Sequence, residues 1–143
     1  MANSSVTMQP CGVIKARLGI NAGGKVQRFF TNECYRYMGK YVVGGASGSI
    51  NMSASLAPDY IQYNHPGSHY QWVGMLYVDP KTKKGAFYSE DYGFWSRPGV
   101  TKIPTSRPLK TNLGGSHWEK RMWSAEGSKV LANTQKYMER GCK

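Results

Sequence analysis

The sequence predicts an α+β fold: a single domain in which a curved antiparallel sheet carries one helix from the N-terminal half and one at the C-terminus, interrupted by a long loop excursion. Three observations carry that expectation. Apolar residues recur every three or four positions in two separate stretches, the marks of two helices. Short runs rich in aromatic and β-branched residues lie between them, each bounded by Gly, Pro, Asn or Asp. With 143 residues, 40% of them hydrophobic, the chain has the size of one domain and buries a core without metal or disulfide staples.

Residues 1–12 are small and polar and predict a flexible arm, with the domain proper spanning 13–143. From Val13, the apolar Ile14, Ala16, Leu18 and Ile20 alternate with Lys15, Arg17 and Gly19, the pattern of a strand with one wet face. Between Lys25 and Val43 the residues Val26, Phe29, Phe30, Cys34, Tyr37, Met38 and Tyr41 mark one side of a helix, with Arg28, Arg36 and Lys40 on the other. Gly44 and Gly45 predict its stop.

Residues 48–56 and 59–64 predict two short strands joined around Pro58. Residues 70–78 predict a further strand, with 79–85 as a hairpin tip leading to a return strand at 86–88. Pro98, Gly99, Pro104 and Pro108 oppose both helix and central strand, so 93–113 is expected to be an irregular excursion. Ser116-His117-Trp118-Glu119 fits a capping box and opens the second helix. Trp118, Met122, Ala125, Val130, Thr134 and Tyr137 form its predicted buried side, Lys120, Lys129, Lys136 and Arg140 its outer side, and Gly141 its end.

A formal charge of +11, from 19 Lys and Arg against 8 Asp and Glu, attracts polyanions: DNA, RNA or the acidic surface of another subunit. Lys81, Lys83 and Lys84 crowd one turn, and Arg97, Lys102, Arg107 and Lys110 share 92–115 with no carboxylate. The three cysteines, Cys11, Cys34 and Cys142, are odd in number and lack metal-ligand spacing. The N-terminus has neither the basic start nor the apolar core of a signal peptide. The longest apolar stretch, 72–78, is too short to cross a bilayer. Synthesis in the cytoplasm and no membrane partner are therefore expected.

Catalytic patterns are weak. His65-Pro66-Gly67-Ser68-His69 spaces two imidazoles four apart, but Pro66 and Gly67 break helical geometry, and His65 reads better as a turn residue. No serine sits in a nucleophile elbow, Glu90-Asp91 reads as a solvated loop tip, and the glycine-rich 43–48 lacks the Lys-Ser or Lys-Thr ending of a phosphate loop. The expectation is a non-enzyme with no catalytic, cofactor-binding or metal-binding residues.

Gly93-Phe94-Trp95-Ser96-Arg97-Pro98-Gly99-Val100 is more unusual. Phe and Trp beside Arg can stack on bases, fill a neighbour's pocket, or pin a loop to its own core.

This run, together with Phe29-Phe30-Thr31-Asn32-Glu33-Cys34, Tyr70-Gln71, Gly85-Ala86-Phe87 and Ser116-His117-Trp118-Glu119-Lys120-Arg121-Met122, resembles a family of minor capsid proteins of tailed phages and prophages of Gram-positive bacteria. The resemblance spans roughly residues 18–137. A fainter pattern is similar to siphophage neck, or tail-completion, proteins: the helix, a glycine turn ending Gly48-Ser49-Ile50, two strands, and Tyr70 ahead of Gly74. Val43 departs from the proline of that class, and Ser68-His69 from its small residue before tyrosine.

The resemblance implies a structural virion protein at the head–tail junction, made in the host cytoplasm. It would join portal-side, adaptor and tail proteins as a ring of its own copies around the channel through which genomic DNA passes. Tyr70, Phe94, Trp95, Arg97 and Pro98 are then the expected subunit contacts. Lys81, Lys83, Lys84, Arg97, Lys102, Arg107 and Lys110 are the expected contacts to channel DNA or to an acidic partner. The 81–84 turn and the 97–110 excursion are expected to project separately, one to each. Two alternatives stay open: a non-specific nucleic-acid-binding module, and a tail terminator or other tail-tube-end protein.

Overall fold

The computed structural model describes residues 9–141; residues 1–8 of the expected arm lie outside the described range. The predicted strand at 13–20 is instead a helix, α1 (Cys11–Leu18). Its end is closed by the Gly19 N–H on the Ala16 carbonyl (3.1 Å) and the Ile20 N–H on that of Lys15 (3.0 Å). None of its residues is buried, so no core face enforces the alternation, and the local preference of Lys, Ala, Arg and Leu for helix prevails.

Helix α2 (Lys25–Met38) follows the predicted periodicity but stops five residues short of Val43. The chain then turns through 39–48, burying Val42 completely (0% exposed). The first half of the predicted strand at 48–56 is one helical turn, α3 (Ser49–Met52). Asn51 holds it there: its side-chain amide donates to the Ala46 carbonyl (2.8 Å), and its own carbonyl accepts from the Tyr35 hydroxyl (3.0 Å). Strands β1 (Ala54–Leu56) and β2 (Ile61–Tyr63) pair antiparallel around Pro58, as expected, with Ser55 opposite Gln62.

The predicted strand at 70–78 divides into helix α4 (Ser68–Val73) and strand β3 (Met75–Val78). Gly74 separates them in the left-handed region (φ 75°), where a side chain would also strike Ser116. Aromatic and β-branched composition alone does not distinguish these two states over so short a run. Strand β3 does not pair with the next strand, β4 (Phe87–Ser89), so 79–85 is not a hairpin tip. β4 pairs with β5 (Gly93–Trp95), and β3 with β6 (Ile103–Pro108). The expected irregular excursion thus contains two strands. Pro104 and Pro108 are tolerated because β6 has a partner on one side only and can spare amide donors on the other. The β-structure is three two-stranded antiparallel ribbons.

Helix α5 (Trp118–Gly141) lies on α2. The capping box does not form. His117 adopts φ 49° and its carbonyl accepts the Lys120 and Arg121 amides, while the Glu119 carboxylate accepts from the Trp72 indole N–H (2.7 Å). Trp118, Met122 and Val130 are buried as predicted. Ala125 is exposed, and Glu126 and Gly127 take the buried positions. Met38, Val42, Ile50, Trp118, Met122 and Val130 form the core, flanked by Phe30, Tyr63 and Trp72. The result is a single α+β domain in which α5 packs on α2 and α4 on β3.

Candidate assembly surface

The β4–β5 hairpin carries two of the expected contact residues, Phe94 and Trp95. Its register sets Tyr88 opposite Phe94 and Phe87 opposite Trp95, so the aromatics form one cross-strand pair on each face. Phe87 and Trp95 stack at 4.8 Å between centroids; Tyr88 and Phe94 lie 5.2 Å apart. Neither Phe94 nor Trp95 belongs to the core, so these rings do not pin the segment to its own interior. Phe94 is 80% exposed, Tyr92 84% and Tyr88 65%. The tip between the strands holds Glu90 and Asp91, both exposed.

Arg97, the third expected contact, is already engaged. Its guanidinium donates twice to Asp79, Nε to Oδ2 and a terminal nitrogen to Oδ1, each at 2.6 Å. Asp79 also accepts the Lys81 and Thr82 amides (2.8 and 3.0 Å), an Asx turn that tightens 79–84. The Arg97 guanidinium, with the two amides, holds the Asp79 carboxyl far below its usual range. Pro98 is exposed beside it, and Tyr70 lies elsewhere, on α4, edge-on to Tyr77 at 4.9 Å.

The cations do not form two separate projections. Lys102 donates to the Gly85 carbonyl and Arg97 to Asp79, so both are drawn to the turn that displays Lys81, Lys83 and Lys84. Lys84 approaches the Phe87 ring at 5.9 Å, joining this cluster to the hairpin. Arg107 and Lys110 fall at the far end of the ribbon, where Pro108 pairs with Met75 rather than Ile103 with Val78. Antiparallel folding of β6 onto β3 is what splits the excursion's charges between the two ends.

An open apolar groove of about 540 Å³ runs between α2, β2, α4 and the start of α5, lined by Phe30, Cys34, Ile61, Tyr63, His69 and Trp72 among others. Burial, and secondarily the neighbouring Glu33 charge, pushes the Cys34 thiol up, so it behaves as an apolar wall rather than a nucleophile. His65 makes a turn, its Nδ1 accepting the Gly67 amide at 3.1 Å, as the sequence suggested. The groove escaped sequence reasoning because its walls come from four elements spread over residues 27–119.

Beneath the surface, carboxylates tie α2 to α5. Glu33 accepts from Arg36 (3.0 and 2.8 Å) and from Asn133 of α5 (2.8 Å). Glu126 is paired with Lys129 (2.8 Å) and Lys40. Those two charges, Lys129 the larger influence, hold it down to about 2. Among the described residues no cluster of three potential metal ligands occurs and no helix is long and apolar enough to cross a membrane. No protein-family model, curated protein or solved structure matches the chain.

Proposed function

We propose that this chain is a structural, non-catalytic subunit of a tailed-phage virion: a ring-forming neck or head–tail connector protein that joins portal-side proteins to the tail around the DNA channel. The observation that carries the reading is the β4–β5 hairpin. Four aromatic side chains, Phe87, Tyr88, Phe94 and Trp95, stand on a two-stranded ribbon outside the core, and two of them, Tyr88 and Phe94, are strongly exposed, as is Tyr92 in the turn. Isolated ribbons are marginal in water, and clustered exposed aromatics mark surfaces that become buried in a partner. The resemblance in the islands from Phe29 to Met122 supplies the virion context. The test is electron microscopy of wild-type particles and of particles made without this chain. Density for a ring at the head–tail junction, with unjoined heads and tails in its absence, is the expected result. A ring that stays on the end of free tails rather than on free heads would favour a tail terminator or other tail-tube-end protein instead.

A second reading, non-specific binding of nucleic acid, is favoured by the exposed Lys81, Lys83 and Lys84 beside exposed aromatics. It predicts tight, salt-sensitive binding of DNA by the isolated chain, whereas the ring reading expects weak binding until copies assemble.

A further inference from the structure

We infer that helix α1 of one copy seats in the groove between α2, β2, α4 and α5 of the next copy, its Arg17 meeting the carboxylates that line that groove. This rests on the reading of the chain as a ring subunit and names the two surfaces that would close the ring. They lie on different parts of the chain, so the contact is head-to-tail. Such a contact leaves one free α1 and one free groove at the ends of the assembly until a ring closes.

Helix α1 needs a surface that its own chain does not give it. It is eight residues long and none of them is buried, and helices this short are marginal in water without packing. The turn that follows ties it down. The Gly19 carbonyl accepts the amides of Val26 (2.9 Å) and Gln27 (3.4 Å), and the Gly24 N–H donates to the Asn21 carbonyl (2.8 Å). Arg28 Nε adds a bond to the Gly23 carbonyl (3.1 Å). These bonds fix α1 at the N-terminal end of α2, and no residue from 11 to 24 lines the groove of its own chain. Val13 and Ile14, both exposed, stand four and three residues before the exposed Arg17. That spacing places the three on one side of the helix. Lys15 is exposed as well, and α1 contains no acidic residue.

The groove is the complement. It offers about 540 Å³ with aromatic walls from Phe30, Tyr60, Tyr63 and Trp72, and its only charged lining groups among the described residues are Asp59 and Glu119. Neither carboxylate has a salt bridge within the described chain. Asp59 is exposed, and Glu119 accepts from the neutral Trp72 indole. Two uncompensated carboxylates beside aromatic rings, on a chain of net charge +11, select a cation carried among apolar side chains. A guanidinium suits both, since it pairs with carboxylates and stacks on aromatic faces. The other exposed features fit less well. The β4–β5 tip carries Glu90 and Asp91, the wrong sign, and α4, which also buries none of its residues, has no Lys or Arg.

The deciding experiment puts the photo-cross-linker p-benzoylphenylalanine in place of Val13 in the full chain, followed by irradiation and mass spectrometry. Intermolecular adducts within 27–38, 59–72 or 118–119, in a ladder of oligomers, are the expected result. A chain that stays monomeric at high micromolar concentration, adducts that map elsewhere on a second copy, or adducts only to its own chain or to other virion proteins would overturn the inference. A charge exchange gives an independent readout. Arg17→Glu and Asp59→Lys change exposed side chains, and each should weaken self-association at least about tenfold by setting like charges against each other. Combined in one chain, they should restore oligomers at concentrations where neither single variant forms them. A double variant no better than the singles, with all three folded by circular dichroism, counts against the contact. These outcomes leave the neck reading standing; that reading falls separately if the chain is missing from purified virions.

Discussion

Arg97 and Asp79, eighteen residues apart, meet through two parallel hydrogen bonds of 2.6 Å, with the Asp79 side chain only 4% exposed. The pair fastens the end of the hairpin to the lysine turn, so the hairpin's direction depends on a fork-to-fork contact that lysine cannot reproduce. Thermal stability should fall in the order wild type, Arg97→Lys, Arg97→Ala, because the last leaves a buried carboxylate with only backbone donors. Arg97→Ala should alter DNA affinity less than Lys83→Ala, since the guanidinium is occupied whereas the ammonium has no ion-pair partner among the described residues. Calorimetry and a fluorescence-anisotropy titration measure the two effects.

Acid should unfold the protein earlier than core size alone dictates. Asp79, Glu33 and Glu126 all titrate lower in the folded chain than in the unfolded one. The unfolded chain therefore binds protons first, and the stability these groups supply is complete above their ordinary carboxylate values. It is lost as pH falls from the ordinary 4.5 of Glu126 to about 2. Urea midpoints measured between about pH 6 and pH 2.5 should drop steeply below about pH 5. Glu126→Gln should flatten that slope while lowering the midpoint at neutral pH.

Two glycines separate strain from collision. Gly114 has φ +71°, and a Cβ there would lie 2.1 Å from the Val42 carbonyl oxygen. Its neighbours bind that segment tightly, Gly115 N–H to the Tyr41 carbonyl and Gly44 N–H to that of Leu113. Gly93 has φ +68° but open space around it. Gly93→Ala should cost about 1–2 kcal/mol of left-handed strain, and Gly114→Ala distinctly more, with shifted resonances for Tyr41 and Val42 in NMR spectra.

Core and assembly should be separable by mutation. Met122→Ala, at a buried position, should cost about 2–5 kcal/mol. Phe94→Ala should cost no more than about 1 kcal/mol, the worth of its cross-strand pair with Tyr88, yet abolish particle joining if the chain has the proposed connector role. Urea denaturation of the purified chain and, under the proposed virion role, plaque counts for each variant would show the contrast.

Any DNA binding by the isolated chain should act through the lysine turn. Replacing Lys81, Lys83 and Lys84 by Ala should reduce the slope of log K against log salt by up to about 3. An unchanged slope would assign the charge to another partner.

Much of this molecule was legible from side chains that act locally. The spacing of Val26, Phe30, Tyr37 and Met38, and of Trp118, Met122 and Val130, announced α2 and α5, because helix burial repeats along the chain itself. Phe94, Trp95 and the lysine turn stood out for the same reason: adjacency is visible in one dimension. The strand expected at 13–20 failed because alternation has meaning only where a sheet supplies a dry face, and none of α1 is buried.

What tertiary structure alone decided is pairing. β3 chose β6 over β4, which moved the excursion's cations to opposite ends of a ribbon and freed the β4–β5 hairpin to stand outside the core. Asp79, read in sequence as part of a hairpin tip, is a buried hub because Arg97 folds back to it. The groove has no sequence signature, since its lining comes from elements as distant as Gln27 and Glu119. Composition and periodicity therefore determined most of the residues that seek a core. The entropy and geometry of loop closure determined which of those residues meet.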